Sequence, residues 1–316
     1  MDVRHLALLR ELDDRGSVTA AAAATHRTAS AVSQQLRTAE RDLGVALVEP
    51  VGRGVRLTDA GRLLAEAAVD VETALARVEA RLDEFRGRPS GVVRIASLTS
   101  AAEFLVPQAL ADLAGEGIRI ELTDTDVSEE SYARLAMDHD IVIGHSLLSG
   151  VPQGAEQLAH TVLVREPLDV AVPSGHPLAA KDVLSPRDVV DESWLGVPAG
   201  YPFATILEGI ERVTGRPVTV TQRLRDNRVV EALVAAEAGL ALLPRFTTRP
   251  REGVVLRPLR GVNARRWIVA MSRPDRAERA VVRRTVTALK EVGGRASATA
   301  PPPEGRSPGP RRSSRG

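Results

Sequence analysis

Between Thr28 and Arg37 the chain sets out Thr28, Ser30, Ser33, Gln34 and Arg37, which are hydroxyls, an amide and a guanidinium. Such groups hydrogen-bond to base edges and phosphates rather than break bonds. No acidic residue occurs between Arg15 and Glu40, so this stretch, with Arg27 ahead of it, can approach a polyanion. Further on, Arg53 stands between Gly52 and Gly54, with Arg56 two residues later. An arginine at the tip of a glycine-flanked turn suits a minor groove or a phosphate. A second set of polar groups follows short apolar runs: Ser97, Thr99 and Ser100, then His145 and Ser146. Tyr201 and Phe203 occupy a comparable loop. Hydroxyls and free N–H groups where a strand turns into a helix favour a carboxylate or another anion. These seven residues are the candidate contacts for a small ligand.

Positioning the first set requires several short helices and a hairpin. Val3, Leu6, Leu9 and Leu12 give one apolar face to a first helix that Asp13-Asp14-Arg15-Gly16 ends. Ser17 then stands at an N-cap position before a run of alanines small enough for close helix contact. The third helix is expected from Thr28 or Ala29 to Leu43, with Ala31, Val32, Leu36, Ala39 and Leu43 inward and Gly44 as its stop. Residues 47–49 and 55–57 flank the Arg53 turn as a hairpin. From Asp59 to Arg86 the stripe Leu63, Leu64, Ala67, Val71, Leu75, Val78, Leu82 and Phe85 predicts one long helix with a buried seam. Thr58 is its expected cap.

The second set needs strands alternating with helices. Eight short β-branched or apolar runs between Val92 and Ala270 predict mainly parallel sheets covered by helices, in two α/β lobes. The expected division is 1–58 for the winged helix-turn-helix, 59–90 for the linker helix and hinge, and 91–292 for the effector domain. Within the last, lobe I takes about 91–164 and 268–292, and lobe II about 165–267. Residues 293–316, rich in Pro, Gly, Ser and Arg, are expected to be a disordered tail.

Bulk properties narrow the function. The chain has 316 residues, 43% hydrophobic and 26% charged, which suits a globular protein of two or three domains. A net charge of only +1 makes any contact with nucleic acid a matter of local placement. Lys181 and Lys290 are the only lysines. Without cysteine the chain has no disulfide, thiolate metal site or thiol redox chemistry. Neither an export signal nor an apolar run of about 20 residues appears, so the cytoplasm is expected and no membrane contact. The histidines are scattered, with no metal-ligand spacing, nucleophile elbow or phosphate loop, so neither an enzyme, a metal nor a resident cofactor is expected. The effector half alone would also suit a periplasmic solute-binding protein, but the reader and wing segments ahead of it do not.

The stretches Gly16-Ser17-Val18-Thr19-Ala20-Ala21-Ala22, Ser33-Gln34-Gln35-Leu36, Leu43-Gly44-Val45 and Gly52 through Gly61 closely resemble the LysR-type transcriptional regulators. Pro173 through Leu178, Asp140 through Ile143 and Ala238 through Pro244 resemble landmarks of that family's effector domain. The resemblance implies a winged helix-turn-helix, a dimerising linker helix and a two-lobed domain like the periplasmic binding proteins (type II). It further implies a homodimer or homotetramer on double-stranded DNA, a small-molecule effector that alters the DNA bend, and RNA polymerase as a further partner. Where the family usually shows Ser-Gln-Pro, this chain has Thr28-Ala29-Ser30, which shifts the expected sequence preference onto Ser33, Gln34 and Arg37.

Overall fold

The computed structural model describes residues 2–52, 54–87, 89–125, 127–198, 201–248 and 251–299. Its first elements follow from local capping. Helix α1 (Val3–Arg15) ends at Gly16, whose φ of 68° is left-handed. Ser17 opens α2 (Val18–Ala24) by accepting from the Ala20 N–H at 3.1 Å. Thr28 does the same for α3 (Ala29–Leu43), accepting from Ala31 at 3.2 Å. Strands β1 (Val48–Val51) and β2 (Gly54–Leu57) form an antiparallel hairpin, the wing. Leu9, Val32 and Leu47 are fully buried where helices and wing meet.

Helix α4 (Asp59–Phe85) is tied to the wing at its first turn. Thr58 Oγ1 accepts from the Gly61 N–H at 3.1 Å and donates to the Ala46 carbonyl at 2.8 Å. The buried seam is not the one the sequence pattern predicts. α4 buries Ala65, Ala68, Thr73, Ala76 and Ala80, and leaves Leu63, Leu75, Val78, Leu82 and Phe85 exposed, the last at 89%. Alanines let α1 and a later helix approach closely from one side, so the larger side chains of the stripe are displaced to the other.

The remaining chain builds two lobes. Lobe I holds β3 (Gly91–Ser97), α5 (Thr99–Asp112), β4 (Ile118–Asp124), α6 (Tyr132–Leu135) and β5 (Ile141–Ser146). The long β6 (Ala159–Pro173) then crosses to lobe II. There follow α7 (Pro186–Val189), β7 (Ser193–Gly196), α8 (Ala204–Thr214), β8 (Thr219–Arg223), α9 (Asn227–Ala235), β9 (Leu240–Pro244) and β10 (Val254–Pro258). Strand β11 (Arg265–Ser272) returns to lobe I, which α10 (Pro274–Glu278) and α11 (Ala280–Thr299) complete.

The strand order is β4-β3-β5-β11-β6-β9-β7-β8, with β10 also on β6. Outer pairs are parallel, but β11 runs antiparallel to β5 and β6, and β6 antiparallel to β9 and β10. The sheet is therefore mixed rather than mainly parallel. Two crossings between lobes in opposite directions force the antiparallel centre. One apolar core lies around Ile95, Leu105 and Ile268, the other around Leu168, Trp194 and Ile210.

The expected disorder from Gly293 is also corrected. α11 continues to Thr299, and a β-carbon at Gly293 would lie 2.4 Å from the Leu163 carbonyl oxygen. Glycine here serves close packing of helix on strand, not chain breakage. The rest of that tail, 300–316, lies outside the described residues.

Ion pairs join the reader and linker helices to lobe I. Arg273, 6% exposed just past β11, reaches Glu11 at 3.1 Å and Asp14 at 3.2 Å on α1, and Glu72 of α4 at 3.6 Å. Arg10 pairs with the same Glu72 and, at 2.9 Å, with Asp275. Arg15–Asp138 at 2.8 Å, Arg77–Glu278 at 2.9 Å and Glu84–Arg283 at 2.6 Å extend the seam outward.

Candidate DNA interface and ligand cavity

α3 presents two faces. Val32, Leu36 and Ala39 are buried, while Thr28, Ser30, Gln34 and Arg37 are exposed and Ser33 half-buried beside them. The structure thus brings these sequence-identified residues onto one polar surface. Arg27 donates to the Gln35 carboxamide oxygen, and Gln35 Nε2 donates to the Arg4 carbonyl at 2.7 Å. That chain of contacts fixes α1 against the reader helix, so Arg27 positions α3 as well as bordering its surface. At the other end the Glu40 carboxylate accepts from the N–H groups of Leu47 at 2.9 Å and Val48 at 3.3 Å. Arg56 is exposed on the wing but paired with Glu49 at 2.6 Å, so its charge is largely compensated within the hairpin. Arg53 lies outside the described residues.

A cavity of about 410 Å³ opens between the lobes, lined among others by Thr99, Ser100, His145, Tyr201, Phe203 and Arg266. That volume suits a small metabolite. Five of the seven effector candidates therefore meet at one place. Ser97 and Ser146 do not reach it. Ser97 is fully buried and donates to the Leu98 carbonyl at 3.1 Å, and Ser146 accepts from the Leu148 N–H at 3.3 Å. Their places on β3 and β5 turn the Ser97 hydroxyl to the local backbone and the Ser146 hydroxyl to the backbone and the Glu129 carboxyl instead.

Leu98, the residue before α5, supplies no side-chain cap, so the N–H groups of Thr99 and Ser100 are available to an anion. Thr99 Oγ1 donates to Asp124 at 2.7 Å. Beneath Ser100 lies Arg266, 1% exposed, whose Nη2 donates to Ser100 Oγ at 3.0 Å and whose Nε donates to Glu166 at 2.8 Å. Glu166, fully buried, also accepts from the Phe246 N–H at 2.8 Å. Sequence reading missed Arg266 because its partner is a hundred positions away. The available signal was a charged pair, Arg165-Glu166, interrupting an apolar run that faces another, Arg265-Arg266.

His145 stands edge-on to Phe203, ring centres 5.5 Å apart. Burial, with the nearby Arg266 charge, pushes its imidazole down to about 3, so it is neutral at ordinary pH. Its Nδ1 and the hydroxyl of Thr247, another lining residue, are buried without a hydrogen-bond partner among the described residues. Across the cavity Arg228 of α9 pairs with Glu103 of α5 at 2.8 Å, bridging the lobes. No group of three or more His, Asp or Glu among the described residues is placed to hold a metal ion.

Comparison with known proteins identifies both domains. Residues 3–62 match the family described as bacterial regulatory helix-turn-helix protein, lysR family, and residues 86–294 match the LysR substrate binding domain. The small neutral protease regulatory protein of Streptomyces coelicolor is 30% identical over 268 residues, covering 82% of each chain. The transcriptional dual regulator GltC of Bacillus subtilis is 27% identical over 257 residues, 79% of this chain and 84% of its own. A full-length OxyR from Pseudomonas aeruginosa, in a variant with one cysteine replaced by aspartate, superposes with a TM-score of 0.60 at 17% identity. That match covers 92% of this chain and 98% of the other. Full-length BenM superposes at 0.54 and 24% identity, covering 96% and 100%. With a helix-turn-helix match at one end and a substrate-domain match over most of the rest, the chain belongs to the LysR family of transcriptional regulators.

Proposed function

We propose that this regulator acts in the cytoplasm, binds promoter DNA through residues 1–58, self-associates through 59–90, and responds to a small effector with an anionic group held between the lobes that follow. The observation that carries the effector reading is the uncapped N-terminus of α5 standing over the buried Arg266 guanidinium. Helix N–H groups and a guanidinium both favour an anion. Calorimetry with an effector found by screening tests it. The double variant Thr99→Ala/Ser100→Ala is expected to bind at least about tenfold more weakly, a charge-assisted hydrogen bond's worth. Equal affinity would refute the assignment.

On the DNA side, Gln34 is the exposed amide at the centre of the reader surface. Gln34→Ala is expected to relax sequence preference, losing about 1–3 kcal/mol on the best site and little on others. Arg53→Ala is expected to weaken all sequences alike and lower the salt slope by about one. Fluorescence anisotropy of the full chain on promoter and scrambled duplexes separates the two. Equal losses on every sequence for both variants would reject that division.

Self-association is supported by the exposed Leu63, Leu75, Val78, Leu82 and Phe85 on α4, too long an apolar stripe to leave in water. A homodimer along α4, paired again into a homotetramer, covers it. Leu75→Arg/Leu82→Arg changes only exposed positions, and light scattering should then find a folded monomer. An unchanged mass would place the interface elsewhere. RNA polymerase is the partner through which such a regulator would act.

A further inference from the structure

We propose that the effector is a zwitterion, carrying one carboxylate and one protonated amine on an apolar skeleton, as in an amino acid with an aliphatic or aromatic side chain. This rests on the reading of the cavity as the effector site and adds to it the second charge.

The inference comes from two helix N-termini that line the same cavity and are finished differently. α5 is uncapped, with Arg266 below it. α9 is closed: Asp226 Oδ1 accepts from the N–H groups of Arg228 at 2.8 Å and Val229 at 3.4 Å. An aspartate at that position already satisfies the helix dipole and repels a further anion. The first end thus takes a carboxylate and the second does not, which argues against a dicarboxylate.

The wall around α9 favours a cation instead. Glu231, one turn into α9, lines the cavity and has no ion pair among the described residues. Burial pushes its carboxyl up, and the charges of Arg251 and Arg228 offset that only in part. Among the described lining residues four carboxylates face three guanidiniums. Arg266 is shared between the cavity and Glu166 behind the wall, and Arg228 pairs with Glu103. A simple carboxylate would deepen this negative imbalance, whereas an ammonium near Asp226 and Glu231 offsets the charge it brings in.

His145 supplies an independent pointer to a ligand. Only 7% exposed and neutral, it lines the same cavity, and its buried Nδ1 has no hydrogen-bond partner among the described residues, which marks a place where one is expected. Leu98, Val197, Pro202 and Phe203 complete an apolar stretch of lining that suits an aliphatic or aromatic side chain.

The test is thermal shift followed by calorimetry on the full chain. Probes are leucine, isoleucine, valine, phenylalanine and tyrosine, each beside its des-amino carboxylate and its decarboxylated amine, with succinate and glutarate added. At least one amino acid should bind, and at least about tenfold more tightly than either partial analogue. Glu231→Gln should remove most of that preference, weakening the amino acid while the des-amino acid binds as tightly as before or more tightly. Des-amino acids or dicarboxylates binding as tightly as the amino acid would overturn the zwitterion and leave the cavity reading intact. Amino-acid binding unchanged in Thr99→Ala/Ser100→Ala would overturn the cavity reading itself. No shift from any probe would overturn the proposal.

Discussion

Arg266→Leu should destabilise the effector domain by about 3–5 kcal/mol, because it strands the Glu166 carboxylate in the interior. Glu166 is fully buried and would keep one hydrogen bond, the Phe246 N–H at 2.8 Å, with the Arg245 charge farther off and already paired with Asp169. That single hydrogen bond contributes about 1.5–3 kcal/mol at most, well short of the cost of desolvating a carboxylate. Urea unfolding followed by Trp194 and Trp267 fluorescence would read the loss, and a change below about 1 kcal/mol would contradict it. Replacing both partners separates stability from function. Glu166→Leu/Arg266→Leu removes the stranded charge and should regain most of the stability. It should still fail to hold an anionic effector, since the floor of the cavity is gone.

Gly61→Val is expected to abolish DNA binding while leaving effector affinity unchanged. A β-carbon there would sit 2.2 Å from the Leu47 carbonyl oxygen and 3.2 Å from Leu57 Cβ. Alanine gains about 1 kcal/mol of helix propensity over glycine, and the collision outweighs it. Backbone movement cannot relieve it cheaply. The Leu47 carbonyl accepts from Thr58 at 3.0 Å, and its N–H is held by Glu40 at 2.9 Å. Either α4 must lift away or the wing must shift, and both change where the wing stands relative to α3. Gly61→Ala should show the same effect in milder form. Anisotropy and calorimetry on the same preparation check the prediction, and DNA binding within about twofold of the native chain would refute it.

How far the sequence could be read depended on the range of the interactions involved. Ser17 and Thr58 were recognisable as caps because a cap and its N–H groups lie within three residues. Thr99 and Ser100 were found because a strand running into a helix places the first turn at the strand's carboxyl end. The same logic overreached at Ser97 and Ser146, where β3 and β5 turn the side chains elsewhere. The first half of β6 and all of β10 were missed. In β6 the Arg165-Glu166-Pro167 interruption looks like a loop until Arg266 is opposite to neutralise Glu166. α4 misled differently. Its leucine stripe has the period of a buried seam, and only the neighbouring helices decide that alanines face inward. Leu75 and Leu82 remain outside, where another copy can reach them.

The ion pairs between the reader domain and lobe I complicate a measurement commonly made on DNA-binding proteins. Added salt competes with arginine–phosphate contacts, and the slope of affinity against salt is read as a count of phosphates. In this chain salt also screens the outer pairs Arg15–Asp138, Arg77–Glu278 and Glu84–Arg283, while the buried Arg273 contacts resist it. Loosening that seam frees the reader domain to reorient on the operator. Counterions displaced from DNA and ions recruited to the protein would thus enter one slope together, and the phosphate number drawn from it would be wrong by the protein's own share. The slope of the isolated reader domain, which lacks the seam, would differ from that of the full chain by that share.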